Sequence, residues 1–233
     1  MRALSSSVFV FIRSSIGKKL LVALTGAALV VFVLGHMIGN LLIFVGPDAI
    51  NEYGHMLQTL GHGGLIWIAR AGLLAAVAVH IVITIQLTKQ NRAARKQRYG
   101  FEKTQVASRS SRLMIFSGLT LLAFIIYHIM HFTLHIGNDY GSYMTSVYGK
   151  TVHDVYRMVI AGFSWWPASL FYIIAMACLC SHLSHGVSSM FQTLGLTTQR
   201  TWPLFKGFGL AYAALIFIGN CSIPLAVMLG LVK

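Results

Sequence analysis

Long apolar runs alternate with short polar breaks along the whole chain. Five runs are long enough to cross a bilayer, at 20–45, 65–88, 113–136, 166–190 and 205–231. A lone strand in lipid cannot satisfy its backbone hydrogen bonds, and these runs exceed the length of barrel strands, so each is predicted to be a helix. The expected fold is an all-α membrane protein of five transmembrane helices, a single domain over 1–233 with polar loops between the spans.

Composition narrows the picture. Hydrophobic residues make up 56% of the 233 and charged ones 10%, and the mean hydropathy is +0.72, outside the range of an ordinary soluble domain. A net charge of +13 suggests nucleic acid at first sight, but no basic DNA binder interleaves its cations with stretches as apolar as Leu20 to Val45. The charge bears on topology instead. Lys89, Arg92, Arg95, Lys96, Arg98, Lys103, Arg109 and Arg112 crowd the break between the second and third runs, while Asp48 and Glu52 stand in a break without cations. The positive-inside rule puts the former break in the cytoplasm, together with Arg2, Arg13, Lys18, Lys19, Arg200 and Lys206, and an odd number of spans puts Lys233 outside. The first run is too long for a signal-peptide core and is expected to be retained. Cys178, Cys180 and Cys221 fall inside apolar runs and no CxxCH occurs, which argues against a disulfide framework and against covalently attached haem.

The anomaly is histidine. His36, His80, His128, His131, His182 and His185 lie inside the expected spans, where an ionisable side chain is costly without a partner. Counting about 1.5 Å per residue from the cytoplasmic end of each span puts His36 and His128 about 24 and 22 Å deep, His80 about 12 Å and His182 roughly 12 to 18 Å. Two layers separated by roughly 10 Å emerge, one joining the first and third spans and one the second and fourth. Two bis-histidine haems require that arrangement, and two axial nitrogens favour electron transfer over oxygen chemistry. Any one of these histidines taken alone is equally well read as an interhelical hydrogen-bonding group. His131 shares a helix face with His128, and His185 with His182, so spacing does not choose between them. Gly26, Gly35 and Gly39 line the first span where a porphyrin could approach, or where helices simply pack. Arg70 is a candidate for a haem propionate or for snorkelling to the interface. His135 is expected at the outer interface, and His55 and His62 in the first outer loop, with His55 and Arg70 as candidates for a quinone pocket.

Four motifs in order on successive spans, VLGHMIGN around His36, VAVHIVI around His80, IIYHIMHF around His128 and HLSHGVSSMFQTLG from His182, resemble the di-haem cytochrome b subunit of succinate:quinone oxidoreductases, the b558 type, over nearly the whole chain. The resemblance implies that the first four helices form a four-helix bundle holding two haem b groups. It implies axial ligands at His36 and His128 for the outer haem and at His80 and His182 for the inner one. Relatives carry a glycine four residues after the fourth ligand, matched here by Gly186, which selects His182 over His185. One departure is Cys180, where the fumarate reductase branch carries a glutamate implicated in proton transfer. That departure, with no Asp or Glu inside the expected spans, fits succinate oxidation with menaquinone reduction.

The function implied is that of a membrane anchor in the bacterial cytoplasmic membrane, passing electrons between an iron-sulfur subunit and menaquinone. The chain has no glycine-rich dinucleotide fingerprint and no cysteine cluster, so the flavoprotein and iron-sulfur subunits are expected as separate partners on the cytoplasmic side and no catalytic residue for succinate is assigned here. Two alternatives stand beside it: a cytochrome b anchor of another quinone-linked dehydrogenase, and a haem-free proton transporter using the histidines as a relay.

Overall fold

The computed structural model describes residues 10–94 and 109–233, so Arg2, Arg95, Lys96, Arg98 and Lys103 lie outside the described residues. The first span is α1, Ser15–Asn40, opened by the Ser14 hydroxyl, which accepts from the Gly17 amide at 3.0 Å, and extended by a 3₁₀ turn over Leu41–Phe44. Helix α2, Pro47–Thr59, starts with proline at its first turn and Asp48 beside it, both favourable at a helix N-terminus. The second span is α3, Gly64–Ala93. A single helical turn over Arg109–Arg112 precedes the third span, α4, Met114–Phe132. Then come strands β1, Met144–Val147, and β2, Lys150–His153, helix α5, Val155–Ser164, and the last two spans, α6, Trp166–Thr193, and α7, Trp202–Met228. Among the described residues five helices are long and apolar enough to cross a membrane, and the chain is an all-α multi-pass membrane protein.

The spans agree with the apolar runs to within a few residues. The breaks differ from the expected loops. Position 45–65 contains α2, and 137–165 contains the β1–β2 hairpin and α5. These elements are too short to register as apolar runs. The hairpin turns on Tyr148 and Gly149, both left-handed (φ 49° and 76°), the signature of a two-residue type I′ turn. Asp154 then caps α5 by accepting from the Arg157 amide at 3.0 Å. Asn51, 2% exposed, ties α2 to this cap: its amide donates to Asp154 Oδ1 at 3.1 Å and its carbonyl accepts from the Tyr156 amide at 2.9 Å. These pieces form one cap over the hairpin end of the bundle, opposite the basic end that carries Lys18, Lys89, Arg92 and Arg112.

Helices α6 and α7 pack along most of their length, and both meet α1 in a core of Met37, Leu183, Val187, Tyr212, Ala213 and Ile216. The fit is close at Gly219, where a Cβ would collide with the Met37 sulfur and come within 3.1 Å of its Cγ. The Tyr212 hydroxyl donates to the Val30 carbonyl at 2.6 Å. Helix α7 therefore belongs to the packed core with α1 and α6. Helix α3 lies along α1 and α4 along α6, while α3 shares no extended contact with α4 or α6 among the described residues. No described residue of α3 is buried. Among the helices that carry intramembrane histidines, α3 is thus the most lightly packed, whereas α1 and α6 share the core with α7.

Candidate functional site

The structure brings His36 of α1 and His128 of α4 together, with ring centroids 5.7 Å apart and planes at 85°. Each ring is stacked on a phenylalanine one turn earlier on its own helix, Phe32 on His36 at 5.4 Å and Phe124 on His128 at 5.8 Å. The nearest open volume beside the pair is at Gly35, where a Cβ would meet nothing within 4 Å. This is the pair nearer the hairpin end.

Nearer the basic end lie His80 of α3 and His182 of α6. Each faces a hydroxyl-glycine dipeptide on a neighbouring helix. His80 Nδ1 is 3.1 Å from Thr25 Oγ1, and a Cβ at Gly26 would stand 3.4 Å from His80 Cε1. His182 Nδ1 is 3.2 Å from Ser117 Oγ, and a Cβ at Gly118 would stand 3.6 Å from His182 Cε1. At both glycines a Cβ would make only an ordinary van der Waals contact with the imidazole. From Thr25 to His36 the rise is about 16 Å along the helix. The two layers are therefore further apart than the roughly 10 Å expected from counting inward from the span ends.

Geometry separates the two candidates on each helix. His131, 9% exposed, points away from α1 into a nest of aromatic rings, 4.1 Å from Phe132 and 5.7 Å from Tyr140. It shares the Tyr172 hydroxyl with His128, each Nδ1 being 3.2 Å from that oxygen. His182 is the member of its pair that meets α4, and Gly186 one turn on has open space at its Cβ position. Tyr172, Thr25 and Ser117 are functional candidates that the sequence did not reveal as such, because their role depends on a neighbouring helix.

These residues fit a metalloporphyrin by the chemistry of their donors. A hydroxyl on Nδ1 of His80, His128 and His182 leaves Nε2 as the outward nitrogen, and such an outer partner is what orients ligating imidazoles. The histidines come in twos: among the described residues no group of three or more His, Cys, Asp or Glu side chains is placed to hold a bare metal ion.

The quinone candidates are placed apart. His55 lines a cavity of about 460 Å³ under the hairpin, with Gln58, His135, Thr151 and His153. Arg70 is not in that lining; its guanidinium lies 4.9 Å over the Trp67 ring, as a cation–π contact at the end of α3. His135 takes a left-handed backbone (φ 53°) and its ring lies 5.7 Å from His153. His153 Nδ1 donates to the Tyr143 carbonyl at 2.9 Å, which leaves Nε2 as an acceptor. Burial, with His135 beside it, holds the His153 pKa below the ordinary histidine value, and the Tyr143 carbonyl offsets this only in part.

Comparison with known proteins finds no matching family model, no matching curated protein and no matching solved structure.

Proposed function

We propose that this chain is the membrane anchor and di-haem cytochrome b subunit of a succinate:quinone oxidoreductase, carrying electrons between an iron-sulfur subunit and menaquinone. The observation that carries the reading is the ring-to-ring approach of intramembrane His36 and His128, with His80 and His182 set nearer the basic end, each against a hydroxyl residue, Thr25 and Ser117. Haem b held there supplies a one-electron carrier near each face of the membrane. The chain's own residues do the rest. Thr25, Ser117 and Tyr172 hold the rings of His80, His182 and His128 at Nδ1, which leaves Nε2 of those three to ligate, and Phe32 and Phe124 brace the pair nearer the hairpin. In this reading the basic end faces the cytoplasm of a bacterial cell and docks the iron-sulfur and flavoprotein subunits. The cap then lies on the outer face, and the cavity beside His55 offers a place for a quinone headgroup. Arg70, stacked on Trp67, serves as an interfacial anchor.

The test is haem stoichiometry with a dithionite-reduced minus oxidised spectrum on the purified complex. Two haems are expected in the parent, and one in each of His36→Ala, His80→Ala, His128→Ala and His182→Ala, with the first and third losing the same spectral component and the second and fourth the other. A correctly folded parent with no b-type band rejects the proposal, and a complex without two larger soluble subunits rejects the succinate assignment.

A further inference from the structure

Helices α1 and α4 carry the same spaced set of residues. On α1 it runs Thr25-Gly26, then Phe32, then His36; on α4 it runs Ser117-Gly118, then Phe124, then His128. Written out, both are a hydroxyl residue and glycine, five residues, phenylalanine, three residues and histidine. Eleven residues advance a helix by about three turns, within about 20° of a whole number, so the hydroxyl and the histidine share one face about 16 Å apart. Both copies use the set alike. The phenylalanine stacks on its own histidine, the glycine lies beside a histidine from another helix, and the hydroxyl meets that histidine's Nδ1.

The direction of the hydrogen bond follows from counting protons. A hydroxyl has a single proton to give. Thr25 donates it to the Leu21 carbonyl, 2.7 Å away, and Ser117 to the Met114 carbonyl, 3.1 Å away. Each oxygen is then left able to accept an Nδ1–H from the facing imidazole, a proton for which the Val22 carbonyl competes at His80. With its proton on Nδ1, each ring carries its lone pair on Nε2. We propose that Thr25 and Ser117 are positioning residues for the basic-end pair: each accepts the Nδ1–H of His80 or His182, fixes the tautomer that leaves Nε2 free to ligate, and raises the basicity of that nitrogen.

The inference rests on the di-haem reading above and adds a tuning role to residues that touch no iron. A more basic imidazole stabilises the ferric state, so removal of the acceptor raises the potential of the haem it serves. The experiment uses the assembled complex with Thr25→Val and Ser117→Ala, redox titration of the b-type bands and low-temperature EPR of the ferric protein. Expected is a shift to higher potential of one haem component, the same one in both variants, with the other unmoved. That haem is also expected to be released about ten- to a hundredfold more readily on dilution. Thr25→Ser and Ser117→Thr keep the hydroxyl and return the parent values, which a merely space-filling role does not predict. If Thr25→Val does not assemble, Ser117→Ala with its threonine counterpart carries the comparison. A two-haem parent whose variants leave both components unmoved, or move different components, overturns this inference alone. A parent without haem overturns the reading beneath it, and this inference with it.

Discussion

Replacing Tyr172 by phenylalanine tests the site without disturbing its packing. The ring of Tyr172 stands edge-on to Phe124 and Phe163 at 5.0 Å each, and phenylalanine keeps those contacts. What goes is one oxygen shared by His128 Nδ1 and His131 Nδ1 at 3.2 Å. Its single proton serves one imidazole while its lone pair serves the other, so both rings lose a partner at once. Hydrogen bonds between membrane helices average about 0.6 kcal/mol, giving about 1 kcal/mol for the two. Leaving buried nitrogens without partners adds a further 1 kcal/mol or so, for a total of about 2 kcal/mol. Tyr212→Phe is the control, since it also removes a buried hydroxyl bond, at 2.6 Å to the Val30 carbonyl, but that carbonyl keeps its helix partner. Its cost is expected to stay below about 1 kcal/mol. The assay is reversible unfolding of the two variants in mixed micelles, followed by circular dichroism. A Tyr172→Phe protein as stable as the parent, or no less stable than Tyr212→Phe, refutes the shared-hydroxyl argument.

Three further outcomes follow from the fold. Gly219→Val drives a side chain into Met37, 3% exposed in the α1–α6–α7 core, and is expected to cost about 1–3 kcal/mol in the same unfolding assay. Asn51→Leu fills the same space but leaves the Tyr156 amide without its partner and Asp154 with only its Arg157 cap, so a loss of about 2 kcal/mol is expected, read as faster hydrogen exchange in α2 and α5. His153 is held neutral by burial, so the unfolded chain takes up its proton first on acidification; the stability from this group is full above the ordinary histidine value near 6.5 and is lost as the pH falls toward the lowered one. Exchange in Lys150–His153 should accelerate between pH 7 and 5, and a His153→Gln protein with the same pH slope argues against this source.

The five spans were legible because each is a continuous apolar run that only a helix can carry through lipid. The cap was not. The buried side of α2 rests on Ile50 and Asn51, a pair too small to stand out, and the hairpin depends on a Tyr148-Gly149 turn flanked by mixed residues. The structure places His36 beside His128, while counting inward from the span ends set the two histidine layers closer together than the helix rise between Thr25 and His36 does. The hydroxyl partners were hidden for a different reason. Nothing near Thr25 or Ser117 in the chain says that a ring from α3 or α6 will arrive there. The signal that finds them is the eleven-residue interval shared by α1 and α4, which requires comparing one span with another rather than reading each for its own periodicity.

Helix α3 is thirty residues long and leans on α1 with none of its own side chains enclosed. Acyl chains, not protein, therefore touch most of its circumference, and the apolar effect contributes nothing to keeping it beside the other spans once it is inserted. In assembly, α3 is then the last wall to be fastened. A substitution that removes the Thr25 partner of His80 should show first as lateral drift of this one helix, measurable as widened spin-label distances from α3 to α6 while those between α6 and α7 hold still.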